Sequence, residues 1–78
     1  MSHQAELDMT GLLCPEPVRL LHIEMRNITP KTRLKVITTD PSTTRDIPKF
    51  CKFLGYTLIK QEQKQGVYYY WIQKRTLI

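Results

Sequence analysis

Cysteine is scarce in this 78-residue chain: Cys14 and Cys51 are the only two, and they stand far apart. No CxxC pair occurs, and neither His3 nor His22 has a second ligand at zinc spacing, so neither a metal nor another cofactor is expected. The apolar run at Tyr68 to Ile72 is far too short to span a membrane. Met1 to Glu6 lacks the basic-then-apolar layout of a signal peptide. The expected compartment is the cytoplasm, where both thiols stay reduced. No repeat, low-complexity tract or linker divides the chain, so residues 1–78 are expected to form one small domain with a thin core. Acidic residues are also few, 7 against 12 lysines and arginines, for a net charge of +5. The basic residues are scattered from Arg19 and Arg26 to Lys49 and Lys52. A diffuse excess of this kind suits an ordinary soluble surface, an acidic protein partner or nucleic acid, and selects none of them.

What is present is strong periodicity. Ala5 to Met9 reads as a short strand, and Gly11 offers a turn after it. From Glu16 to Ile28, Val18, Leu21, Met25 and Ile28 recur at helical steps and make one apolar stripe, with Arg19 and Arg26 off it. Thr29-Pro30 ends that helix. Leu34 to Thr39 alternates as a strand, and Asp40-Pro41-Ser42 breaks it. A second helix is expected over Thr43 to Leu54, with Thr43 and Asp46 as a variant capping box and Ile47, Phe50, Cys51 and Leu54 on one face. Pro48 either kinks an early turn of that helix or marks a later start near Asp46. Gly55 is a natural stop. Tyr56 to Glu62 and Val67 to Lys74 then form a hairpin around Gly66. The order β-α-β-α-β-β predicts a two-layer α/β sandwich, a four-stranded mixed sheet with two helices on one face. The open face carries either Tyr68, Tyr70 and Ile72 or Val67, Tyr69 and Trp71.

Chemistry concentrates at Cys14-Pro15-Glu16-Pro17. Proline suits the first helical turn, where the backbone N–H has no intrahelical partner and the fixed φ is already helical. The motif therefore sets the Cys14 sulfur at the mouth of a helix N-terminus. Negative charge is favoured there, and the thiolate is the reactive form of cysteine. Cys14 is the candidate catalytic nucleophile, supported by Pro15, Glu16 and Pro17. The prolines stiffen the junction and remove two backbone donors, which leaves the Glu16 N–H available toward the sulfur. The Glu16 carboxylate opposes the thiolate, so the electrostatic balance at Cys14 is open.

Two segments resemble the TusA/SirA-like sulfur carriers. Gly11-Leu12-Leu13-Cys14-Pro15-Glu16-Pro17 looks like their Gly-x-x-Cys-Pro-x-Pro signature, and Asp40 to Pro48, followed by Phe50-Cys51, looks like the second segment of the TusA branch. The resemblance covers about Leu7 to Arg75, and both motifs at this separation are more specific than either alone. It implies the β-α-β-α-β-β sandwich and a sulfurtransferase activity. The sulfur would be carried as a persulfide on Cys14, in a stoichiometric relay. A cysteine desulfurase is the implied donor and a further relay protein the implied acceptor, toward 2-thiouridine at the wobble position of transfer RNA. Leu13 departs from the pattern, since many members have a basic residue there.

The remaining candidates divide by surroundings. Cys51 lies beside Phe50 and Leu54 and is expected to be structural. Asp46 is explained by the helix dipole alone. Arg45 is not, and with Arg19 and Arg26 it is a candidate for partner contact. Tyr68 to Trp71 with Lys74 and Arg75 suggests base stacking, but strand alternation buries about half of these rings. Direct nucleic-acid binding is therefore not expected, and a carrier that visits several partners is expected to be a monomer. The alternatives are a basic RNA-binding module and a redox-regulatory interaction domain.

Overall fold

A computed structural model describes residues 4–29 and 32–74. The chain runs β1 (Gln4–Met9), α1 (Glu16–Asn27), β2 (Arg33–Thr38), α2 (Thr43–Leu54), β3 (Thr57–Lys64) and β4 (Val67–Gln73), the order read from periodicity. The sheet order is β1-β2-β4-β3. β1 and β2 are parallel, which requires a crossover, and α1 supplies it. β2 with β4 and β3 with β4 are antiparallel, so the sheet is mixed.

Alternation sorts the sheet faces. Leu34, Val36 and Thr38 of β2 and Tyr68, Tyr70 and Ile72 of β4 are buried on the helix side. Leu34 faces Ile72 and Val36 faces Tyr70 across the ladder. Leu21 and Met25 of α1 and Ile47, Phe50 and Cys51 of α2 close over them. Val18 and Ile28, the ends of the α1 stripe, pack against this core half-buried, while Arg19 and Arg26 are exposed. The open face carries Val67, Tyr69 and Trp71, all half-buried.

Tyr69 and Trp71 are covered by cations of the same chain. Lys35 Nζ lies 5.5 Å from the Tyr69 ring and 5.8 Å from that of Trp71, and Lys60 Nζ lies 5.3 Å from Trp71. The register sets Lys35 and Lys60 on either side of Trp71, so the arrangement follows from strand pairing.

Four expectations are corrected or resolved. α2 begins at Thr43 and continues through Pro48, so Pro48 marks no later start. No capping box forms: Ser42 is the N-cap, its side chain makes no bond to the helix's own N–H groups, and Thr43 Oγ1 donates to the Asp40 carbonyl at 2.6 Å. The same hydroxyl meets Tyr70 Oη at 3.1 Å, which satisfies a buried phenol at the sheet centre. Leu54 is 41% exposed rather than in the apolar face, because Gly55 turns the chain at φ 79° and Tyr56 packs on Phe50 instead, at 5.6 Å between centroids. The hairpin turn is Gln65-Gly66, with φ of 51° and 79°, the left-handed pair that a two-residue connection requires. Pro30, expected to end α1, lies outside the described residues. α1 itself closes with the Ile28 N–H on the Glu24 carbonyl.

Candidate functional site

β1 and β2 end side by side, and each is followed by a loop into a helix. Gly11 turns the first loop at φ 84°, a conformation that favours glycine. The loops are joined by hydrogen bonds. Gly11 N–H donates to Thr39 Oγ1 at 2.9 Å, and Cys14 N–H donates to Asp40 Oδ2 at 2.7 Å. Asp40 is buried, and its carboxylate also accepts the Ser42 N–H at 3.0 Å and the Ser42 hydroxyl at 2.9 Å. Burial alone would raise the Asp40 pKa. The bonds from Ser42 and from the Cys14 backbone outweigh that and hold it below the usual carboxylate value.

Pro15 is the N-cap of α1, Glu16 opens the helix and Pro17 is buried in its first turn, where a missing N–H breaks no bond. The Cys14-Pro15 peptide is cis. The first helical bond runs from Arg19 N–H to the Pro15 carbonyl at 3.2 Å. The Glu16 N–H does not serve the sulfur: it donates to the Leu13 carbonyl at 2.9 Å, closing the turn that presents Cys14. The Glu16 carboxylate turns along the helix to Arg19 at 3.3 Å, an exposed pair of small energetic worth.

The Cys14 thiol is exposed. Its Sγ lies 3.8 Å from Asp46 Oδ2, and Asp46 Oδ1 is 3.6 Å from Arg45 Nε. Beside it opens a shallow groove of about 860 Å³ between the helices. Cys14, Pro15 and Val18 line it from the α1 side, and Asp46, Lys49, Phe50, Lys52 and Phe53 from α2. Leu13 and Phe53 stand on the surface, 69% and 90% exposed. Cys51, by contrast, is buried at 2% exposure, and burial pushes its thiol up to about 11. It stays protonated and inert at neutral pH.

The structure brings Arg19 and Arg45 to the end of the molecule that holds Cys14. Arg26 sits in the last turn of α1, about ten residues and on the order of 15 Å from that end. Asp40 and Asp46, the partners of Cys14, are the residues that sequence reasoning missed. Asp40 read as a strand breaker and Asp46 as a dipole residue. The available signal was positional: both follow a strand parallel to the one that leads into Cys14, and sites in such sheets gather at the strands' carboxyl ends. Among the described residues no cluster of three or more His, Cys, Asp or Glu is placed to hold a metal ion.

Comparison with known proteins finds relatives along nearly the whole chain. The family described as "Sulfurtransferase TusA" matches residues 5–74. The chain is 56% identical over 77 residues to "Sulfur carrier protein TusA" of Pseudomonas aeruginosa (strain LESB58), covering 96% of this chain and 98% of the relative. It is 59% identical over 71 residues to the protein of that name from Pseudomonas putida (strain W619), with 91% and 89% covered. The counterpart from Pseudomonas entomophila (strain L48) is 58% identical over 73 residues, with 94% and 91% covered. With an exposed free cysteine at a helix mouth, the β-α-β-α-β-β sheet beneath it and this near full-length match, the chain belongs to the sulfurtransferase TusA family.

Proposed function

We propose that the protein is a sulfur carrier that takes persulfide sulfur onto Cys14 and hands it to another protein. The observation that carries this reading is the contrast between its two thiols. Cys14 is exposed at the start of α1 beside an open groove, and Cys51 is sealed in the core. A group that must enter two other active sites in turn needs that kind of access, because thiol exchange depends on the attacking thiolate and its approach. The names of the relatives, sulfur carrier proteins, support the same activity.

The donor is a cysteine desulfurase and the acceptor a further relay protein, feeding 2-thiolation of the wobble uridine in transfer RNA. The protein acts as a cytoplasmic monomer, stoichiometrically, and recruits no cofactor. No helix among the described residues is long and apolar enough to cross a membrane. Arg19, Arg26 and Arg45 are the proposed docking charges. Direct RNA binding through the aromatic strand is less favoured, since Lys35 and Lys60 already lie over the Tyr69 and Trp71 rings that bases would stack on.

Incubation with a cysteine desulfurase and cysteine, read by intact mass, tests the carrier. The wild type is expected to gain one sulfur atom, Cys51→Ala to gain it equally, and Cys14→Ser to gain none. Equal gain by Cys14→Ser and wild type would end the proposal. Charge reversal at each of the three arginines is expected to slow loading in the same assay. Salt-dependent RNA binding that persists in Cys14→Ser would favour the RNA-binding alternative.

A further inference from the structure

From Thr10 to Pro15 the first loop lies on the surface. Thr10, Gly11, Leu13, Cys14 and Pro15 are exposed, and Leu12 alone packs half-buried against the core. A segment with so little packing needs another restraint to keep one shape. Two hydrogen bonds tie it to the second loop, Gly11 N–H to Thr39 Oγ1 at 2.9 Å and Cys14 N–H to Asp40 Oδ2 at 2.7 Å. The second is the shorter, and its acceptor is a carboxylate. Asp40 is itself fixed along its whole length. Its N–H donates to Thr38 Oγ1 at 3.2 Å, and its carbonyl accepts the Thr43 N–H at 3.1 Å and the Thr43 hydroxyl at 2.6 Å. That hydroxyl also meets Tyr70 Oη, so the bonds run on to the centre of the sheet. Ser42 holds both carboxylate oxygens from the other side. Cys14 is thus hung from a buried residue that is locked to β2, to α2 and to the core.

We propose that Asp40 is a positioning residue for sulfur exchange: acting through the Cys14 N–H, it fixes Sγ in the place from which it meets a partner's sulfur. The inference rests on the reading of Cys14 as the sulfur acceptor. Uptake is an exchange without net redox: Cys14–SH and a donor persulfide R–S–SH become Cys14–S–SH and R–SH. The donor S–S bond breaks, a new S–S bond forms on Sγ, and the proton leaving Sγ ends on the donor's thiolate. Such an attack is directional, because Sγ must approach in line with the bond that breaks. Misplacement by about 1 Å costs on the order of a hundredfold in rate. An exposed thiol on a loose loop has access without direction. The bond to Asp40 supplies direction and leaves access intact, since it takes the backbone N–H of Cys14 and nothing of its side chain. The turn closed by the Glu16 N–H on the Leu13 carbonyl stiffens the chain around Cys14, and Asp40 anchors that turn to the rest of the molecule.

Desulfurase loading over a range of carrier concentrations tests this, because it separates the maximal rate from the half-saturating concentration. Asp40→Ala is expected to lower the maximal rate about tenfold to a hundredfold and to move the half-saturating concentration less than about threefold. Iodoacetamide is small and needs no fixed approach, so it is expected to alkylate Cys14 of Asp40→Ala no more slowly than that of the wild type. Ser42→Ala removes one bond from the same carboxylate but keeps the bond to Cys14, and it is expected to load like the wild type. Asp40→Asn guards against a variant that does not fold. Its one carbonyl oxygen cannot serve the Ser42 N–H and the Cys14 N–H together, so its maximal rate is expected to lie between those of wild type and Asp40→Ala. All rates are taken well below the thermal melt of each variant. Wild-type maximal rates in Asp40→Ala and Asp40→Asn overturn the proposal. So does an equal loss in Ser42→Ala, or alkylation that slows in step with loading, since either would report general damage to the loop. A wild type that gains no sulfur overturns the carrier reading and the positioning role together, whereas normal loading by the Asp40 variants overturns the positioning role alone.

Discussion

Asp40 divides its carboxylate between two loops. Oδ1 accepts the Ser42 N–H, and Oδ2 accepts both the Ser42 hydroxyl and the Cys14 N–H. Hydrogen bonds to a charged acceptor contribute more than neutral ones, so Asp40→Asn is expected to lower stability by about 1–2 kcal/mol at neutral pH. The pH dependence has a fixed sign. The folded-state value lies below the ordinary 3.8, so this contribution is complete above that value and is lost as pH falls through the folded-state value. Denaturant unfolding of both proteins is expected to show a constant gap above pH ~5 that narrows in more acid solution; a gap independent of pH would show that the charge of Asp40 has no part in it. At this scale the sequence was legible only in part. Cys14 announces itself through its prolines, but Asp40 and Asp46 lie 26 and 32 residues away and meet it only through tertiary structure. The Glu16 N–H misled for a similar reason. Counting free donors does not reveal that the Leu13 carbonyl is the nearer acceptor.

Elements were more legible than contacts, because periodicity is local. Leu21 and Met25 are buried where the stripe places them, and the helix–strand order follows. Leu54 failed because a stripe says nothing about where the neighbouring surface ends. Helix α2 runs past its cover, and Gly55 reverses the chain there. Gly55 and Gly66 both hold φ of 79°, and a Cβ at either meets no atom within 4 Å, so backbone strain alone decides a substitution. Gly55→Ala is expected to cost about 1 kcal/mol, the left-handed penalty for a residue with a side chain. Chemical unfolding with sulfur loading checked alongside measures it; no loss of stability would mean that the turn adopts another geometry at little cost. The expected capping box failed for a comparable local reason. Thr43 has a buried phenol to satisfy, and its hydroxyl serves Tyr70 and the Asp40 carbonyl instead.

The whole molecule separates its faces. The helix side holds the core and, at one end, the Cys14 groove; the open side holds the rings of Tyr69 and Trp71 under Lys35 and Lys60. Alternation predicted that one set of aromatics would be open but not which, since both sets are apolar, and the lysine cover is a product of register. Half-exposed cation–π contacts contribute about 0.5–1 kcal/mol each. The Lys35→Ala, Lys60→Ala double variant is therefore expected to lose about 1–2 kcal/mol of stability with an unaltered rate of sulfur loading. A slowed rate would place the open face in partner recognition. The β3 edge is also guarded: it carries Lys60, Glu62 and Lys64 and a register shift between Leu58 and Lys60, features that discourage strand addition by a second molecule.

The bond from the Cys14 N–H to Asp40 joins the exposed cysteine to the far loop at 2.7 Å. It gives the site a built-in reporter. An amide proton held by a carboxylate is expected to exchange more slowly than a free one and to shift downfield. Its chemical shift and exchange lifetime follow the two-loop clasp at the proposed sulfur acceptor. A single resolved peak can therefore be followed while the protein is loaded, emptied or docked, with no label on the thiol.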